Sequence, residues 1–149
     1  MGYSDSILVC GSRTWKDYSI IFRILKEYKE MGYIHLIEGE CRGADIMSRD
    51  AWTALGGKVV AVPAEWDRYG RAAGPIRNSK MLEMVPDVVI AFHGNLKESK
   101  GTIDTVSKAT KMGLKVKIVG CSESETASVS SNSSAQGQLS TVAEGRQSS

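Results

Sequence analysis

The sequence predicts an α/β fold, a doubly wound parallel sheet of about five strands with helices on both faces. Three observations carry that prediction. Five short apolar runs alternate with four stretches whose apolar residues recur at helical spacing. The runs are nearly continuous rather than alternating, as suits strands covered on both sides. Glycine closes most helical stretches, and polar glycine-bearing loops follow most strands, which fits right-handed β-α-β crossovers.

The elements follow in order. Ser6-Ile7-Leu8-Val9-Cys10 reads as strand one, ended by Gly11-Ser12-Arg13. Thr14 and Asp17 form a capping box for helix one, whose inward positions are Ile21, Ile24, Leu25, Tyr28 and Met31, with Gly32 as a C′ residue free to take positive φ. Ile34 to Ile37 is strand two. The corner Glu38-Gly39-Glu40-Cys41-Arg42-Gly43-Ala44-Asp45 leads into helix two, with Ala44, Met47, Ala51 and Leu55 on one face. Lys58 to Pro63 is strand three, and a polar loop runs from Ala64 to Gly74. Helix three starts around Pro75, which suits a first turn, with Ile76, Met81, Leu82 and Val85 inward. Asp87 to Phe92 is strand four. After a loop from His93 to Lys100, Thr102 caps helix four, whose inward positions are Ile103, Val106 and Ala109; Leu114 to Val119 is strand five.

The 149 residues suffice for one core. Residues 1 to 120 form the expected domain, and 121 to 149, rich in Ser and Thr and poor in large apolar side chains, are expected to be a disordered tail. The formal charge of +2 rises to +4 for residues 1 to 119, enough for an anionic small ligand and too little to argue for nucleic acid. Cys10, Cys41 and Cys121 are odd in number and widely spaced, against a disulfide framework and for a reducing compartment. No metal-ligand spacing is present, no segment is long and apolar enough to cross a bilayer, and a cytoplasmic location is expected. The start Met1-Gly2 with Ser6 touches a myristoylation pattern too short to weigh. The sequence lacks the core residues of a GxSxG elbow, a Walker loop and a strict GxGxxG turn.

A parallel sheet sends every strand-to-helix loop to its carboxyl edge, where open α/β sheets bind ligands. That edge collects Gly11, Ser12, Arg13, then Gly39, Arg42, Gly43, Ala44, Asp45, then the loop with Trp66, Arg68, Tyr69, Arg71 and Gly74, then His93, Gly94, Gly101 and Thr102. Several guanidinium groups and four helix N-termini favour a phosphate-bearing ligand. Trp66 and Tyr69 are candidates to stack on a base, and Asp45 could accept from ribose hydroxyls, orient Arg42 or complement the helix dipole. Cys41 sits near a helix N-terminus but reads best as a tolerated small residue. His93 follows strand four as a lone histidine, more often structural than functional.

Gly11-Ser12-Arg13, Arg42-Gly43-Ala44-Asp45, Pro63-Ala64-Glu65-Trp66, Ala73-Gly74-Pro75-Ile76-Arg77-Asn78 through Met81, and Gly101-Thr102 occur in an order that resembles the SLOG superfamily. This Rossmann-like group includes the LOG phosphoribohydrolases and DprA. The closest look is to its small stand-alone bacterial and phage branch, over about residues 6 to 119. The resemblance implies a nucleotide or nucleotide-derivative ligand, ADP-ribose-like in several branches, no separate cofactor, and a homo-oligomer as in many relatives. It implies a ligand site built from Gly11, Ser12, Arg13, Gly39, Arg42, Gly43, Ala44, Asp45, Trp66, Gly74, Pro75, Arg77, Asn78, Met81, Gly94, Gly101 and Thr102. In the LOG enzymes a PGGxGTxxE motif supplies a glutamate that works with an arginine. Here Arg77 matches the arginine, but the glutamate position is Thr105, which cannot act as a carboxylate near neutral pH.

The leading expectation is therefore a nucleotide-binding sensor or sequestering protein. The alternative is an N-glycosidase acting on nucleoside monophosphates, with Arg77 and Asp104 as catalytic residues and Glu98 or Glu65 as further carboxylates. Asp104 is next to Thr105, but one step along a helix turns the side chain by about 100°. A second alternative is DprA-like single-stranded DNA binding, which the modest charge opposes.

Overall fold

The structure, a computed structural model, describes residues 5–94 and 99–120. The Ser/Thr-rich tail, Glu98 and the Met1-Gly2 start lie outside the described residues. Five parallel strands are joined by helices: β1 (Ser6–Gly11), α1 (Tyr18–Glu30), β2 (His35–Glu38), α2 (Ala44–Ala54), β3 (Lys58–Ala61), α3 (Trp66–Tyr69), a single 3₁₀ turn (Gly70–Ala72), α4 (Ala73–Glu83), β4 (Val88–Phe92), α5 (Lys100–Lys111) and β5 (Lys115–Val119). The strand order is β3-β2-β1-β4-β5, every pair parallel. The chain winds outward from β1 to β3, crosses back, and winds from β4 to β5. The direction of winding thus reverses between β1 and β4, and the doubly wound sheet predicted from the apolar runs is what forms.

Each face has its own core. Leu8, Cys10, Ile37, Val89 and Ala91 pack with Met81 and Leu82 of α4 and Ala109 of α5. Alternation along the strands sends Ile7, Val9, Leu36, Ile90 and Phe92 to the other face, where Ile21, Leu25, Ala51 and Trp52 of α1 and α2 are buried. Phe92 meets Trp15 there with ring centroids 5.7 Å apart, and the Trp52 indole N–H donates to the Ile34 carbonyl at 3.0 Å. Each fully buried side chain of this size contributes roughly 1.5–3 kcal/mol.

Several element ends differ from expectation. Helix one has no Thr14–Asp17 capping box: Asp17 itself caps it, accepting from the Ile20 N–H at 3.2 Å, while Thr14 closes a turn with Ser12. The loop expected from Ala64 to Gly74 folds into α3 and the 3₁₀ turn, and α4 starts two residues before Pro75. Ser99, not Thr102, caps α5, accepting from the Thr102 N–H at 3.3 Å. Val85 and Ile103, expected inward, are 51% and 40% exposed. Val85 lies past the end of α4, and the register of α5 turns Ile103 out once Thr102 and Thr105 face in. Met31, expected inward on helix one, is likewise exposed because it is the C-cap of α1.

Candidate functional site

The carboxyl ends of β1 and β4 lie at the point where the winding reverses, where diverging connections leave a crevice. A cavity of about 430 Å³ opens there, within the size range of small-molecule sites. Its walls come from four places: Cys10 to Thr14 at the end of β1, Cys41 and Asp45 around the β2 corner, Arg77, Asn78 and Met81 on α4, and His93 after β4 with Ser99 to Thr102 and Thr105 at the start of α5.

The β2 corner is held by buried polar contacts. Asp45, in the first turn of α2 and only 6% exposed, accepts from the Gly39 N–H at 3.1 Å and the Cys41 N–H at 3.4 Å, both on Oδ2. Burial pushes its carboxyl up to about 6, against the pull of the Cys41 N–H, the Arg77 charge and the Gly39 N–H. Oδ1 accepts no hydrogen bond from the described residues. Gly43 stands at φ +82°, and a Cβ there would lie 2.6 Å from the Arg13 carbonyl carbon. That close approach lets the Ala44 N–H donate to the Ser12 carbonyl at 3.0 Å, so the β1 loop rests on the start of α2.

Arg77 reaches from α4 across the sheet end to this corner. It is 7% exposed; Nη1 donates to the Gly39 carbonyl at 2.6 Å and contacts Cys41 Sγ at 3.6 Å, while Nε donates to Asn78 Oδ1 at 2.9 Å. A methyl group on Gly39 would sit 2.6 Å from Nη1, so a side chain there would push the Arg77 guanidinium off the corner. Asn78 continues the network, its amide donating to Asp104 Oδ2 at 3.1 Å and the Gly101 carbonyl at 3.4 Å. Cys10, at the base of the cavity, is buried, and desolvation followed by the Asp45 charge pushes its thiol well above the usual range.

The α5 side presents backbone donors and cations. Ser99 takes the Thr102 N–H, and its hydroxyl also donates to Thr102 Oγ1 at 2.9 Å. The N–H groups of Lys100 and Gly101 have no acceptor among the described residues, and both residues line the cavity. Arg13 and Lys100 are exposed cations without an ion pair among the described residues. Among the described residues no group of His, Cys, Asp and Glu could hold a metal ion.

The sequence-derived residues divide. Gly11, Ser12, Arg13, Asp45, Arg77, Asn78, Met81, Gly101 and Thr102 line this cavity. Gly39, Gly43 and Ala44 are off the lining but touch it, Gly39 against Arg77, Gly43 against Arg13, and Ala44 through its N–H to the Ser12 carbonyl. Arg42 is exposed and off the lining, as is Gly94. Trp66, 49% exposed, lies over Gly74, whose added Cβ would stand 3.4 Å from the indole, and Pro75 follows on the exposed side of α4. Asp104 pairs with Lys108 at 3.0 Å and takes the Asn78 amide, outside the lining. Thr105, beside it, does line the cavity and donates to the Gly101 carbonyl at 3.2 Å. Cys10, Thr14, Ser99 and Lys100 also line the cavity and are not among the site residues expected from sequence. Ser99 carried a readable signal, a serine three residues before Thr102 at the head of a helical pattern.

Sheet order and cavity together define a Rossmann-like α/β domain with a polar crevice at its switch point. The sequence pattern of the YspA, cpYpsA-related SLOG family (YAcAr) matches residues 6–69. Gene 61 protein of Mycobacterium phage D29 is 32% identical over 117 residues, covering 74% of this chain and 92% of that protein. The chain belongs to this SLOG family. Among solved structures, DNA processing protein A (DprA) from Streptococcus pneumoniae superposes with a TM-score of 0.60 at 18% identity, over 76% of this chain and 49% of that one. That likeness is one of fold, and the chain spans about half the length of the DprA chain.

Proposed function

We propose that the domain binds a nucleotide or nucleotide-derived ligand, as a sensor or sequestering protein. The observation that carries this reading is the polarity of the cavity. One wall offers the Lys100 and Gly101 N–H groups with the Arg13 and Lys100 cations; the other offers the buried Asp45 and Arg77. The first wall suits a phosphate, through charge-assisted hydrogen bonds and the α5 dipole. The second suits the hydroxyls of a sugar. Membership of the SLOG family supports the same ligand class.

The N-glycosidase alternative draws no support from Asp104, whose carboxylate is engaged by Asn78 and Lys108. Binding without cleavage is the reading the site favours. Titration calorimetry with ADP-ribose, NAD and AMP tests it, with binding at micromolar to sub-millimolar levels expected for at least one. Folded protein that binds none of them below the millimolar range overturns it, and release of free base would move the assignment to the hydrolase.

A further inference from the structure

We propose that the cavity discriminates ribose from 2-deoxyribose, with the Asp45 carboxylate accepting hydrogen bonds from the sugar hydroxyls while the first turn of α5 holds the 5-phosphate. The inference rests on the nucleotide reading above and names the part of the ligand that the inner wall reads.

Asp45 has one oxygen committed to the protein and one that is not. Oδ2 receives the Gly39 and Cys41 N–H groups, whereas Oδ1 has no donor among the described residues although the residue is 6% exposed and lines the cavity. A carboxylate buried in this way recovers its desolvation cost when a ligand brings donors to it. It also repels a phosphate, so the anionic end of the ligand is driven to the α5 wall. The ligand is thereby given a direction.

Spacing and lining select the donor. Asp45 follows β2 and the α5 turn follows β4, with β1 between them. Both line the same cavity of about 430 Å³, which has room for a pentose 5-phosphate with a hydrogen bond at each end. A base amine is the other common donor to a carboxylate. Against it, no Phe, Tyr or Trp lines the cavity among the described residues, and the His93 imidazole, the aromatic ring that does, is only 7% exposed and offers little face for a base to stack on. The walls instead carry Ser12, Thr14, Asn78, Thr102 and Thr105, groups that suit a sugar phosphate.

The test is calorimetry at pH 8 with ribose 5-phosphate against 2-deoxyribose 5-phosphate, and AMP against 2′-dAMP, on the full chain and on Asp45→Asn. The ribo forms should bind the native protein roughly 10- to 100-fold more tightly, the range of one or two hydrogen bonds to a charged group. In Asp45→Asn the gap should shrink to about threefold or less, because a neutral amide forms only ordinary hydrogen bonds. Equal affinities for ribo and deoxy forms in the native protein overturn the inference and leave the nucleotide reading standing. That comparison decides even if the variant folds poorly. A gap that persists in folded Asp45→Asn removes Asp45 from the role, and absence of binding by all four compounds overturns the inference, while the nucleotide reading itself is decided by the ADP-ribose and NAD titrations above.

Discussion

Two carboxyl groups in the β2 corner hold protons that they would release in the unfolded chain. Glu38 is fully buried, with Oε1 accepting the Glu40 N–H at 2.6 Å and Oε2 without a hydrogen bond among the described residues, and burial reinforced by the neighbouring Glu40 pushes it up to about 9. Glu40 moves down, held by the Glu38 carboxyl beside it and by Arg49 at 3.4 Å, so it titrates below this range. Asp45 stands at about 6. For both raised groups the folded state binds more protons than the unfolded state above the ordinary carboxylate pKa, so stability falls as pH rises. Asp45 and Glu38 contribute together up to about 6, and Glu38 alone from there to about 9. Glu38→Gln keeps the acceptor for Glu40 and cannot ionise. Urea denaturation between pH 6 and 9 should show native stability declining by up to about 1.4 kcal/mol per pH unit, and the variant nearly flat. Parallel declines for the two proteins would show that Glu38 is ionised in the fold.

At the scale of elements, helix ends decide what the loops can do. Ser99 and Asp17 are both N-caps, but only Ser99 borders the cavity. Ser99→Ala should cost about 1 kcal/mol in stability and also weaken AMP binding, whereas Asp17→Ala should lower the melting temperature and leave AMP affinity unchanged. Equal effects of the two on affinity would mean that the α5 turn does not hold the ligand. Helix C-termini show a second pattern. Gly32, Gly56 and Gly113 follow α1, α2 and α5 with φ of +103°, +84° and +79°, but α4 is followed by Val85 at φ +51°, half exposed. A β-branched residue is strained there by roughly 1–2 kcal/mol, part of which glycine gives back in unfolded-chain entropy. Val85→Gly should therefore raise the urea midpoint by a few tenths to about 1 kcal/mol equivalent. The glycines and the apolar runs made most of the sheet readable from sequence. Val85 was misread because its apolar character fitted the helical period, and α3 was missed because four residues of polar loop carry no period at all. Arg42 illustrates the same limit within the site: a guanidinium in the right corner was legible, but which way it points depends on Gly43 turning the chain, and it lies in solvent.

For the whole molecule, the two windings of the sheet meet across β1 and β4, and Arg77 bonds them beyond the strands themselves. The sequence motif marked Arg77 as a site residue, but its span from α4 to the β2 corner depended on the crossover that brings those elements together. Its guanidinium carries the Gly39 carbonyl, the Asn78 side chain and the nearby charge of Asp45 at once. Arg77→Met leaves the Gly39 carbonyl and Asn78 Oδ1 without this donor and the buried Asp45 without its neighbouring charge, and should cost roughly 3–5 kcal/mol. Part of that cost is the Asp45 charge left uncompensated, which Asp45→Asn removes. In a double-mutant cycle by urea denaturation at pH 8, the pair should therefore cost about 1–3 kcal/mol less than the sum of the single variants. Additivity within about 0.5 kcal/mol would mean that Arg77 and Asp45 do not sense each other. The cavity would then be two independent walls rather than one electrostatic unit, and a ligand spanning it would gain nothing from their being held together.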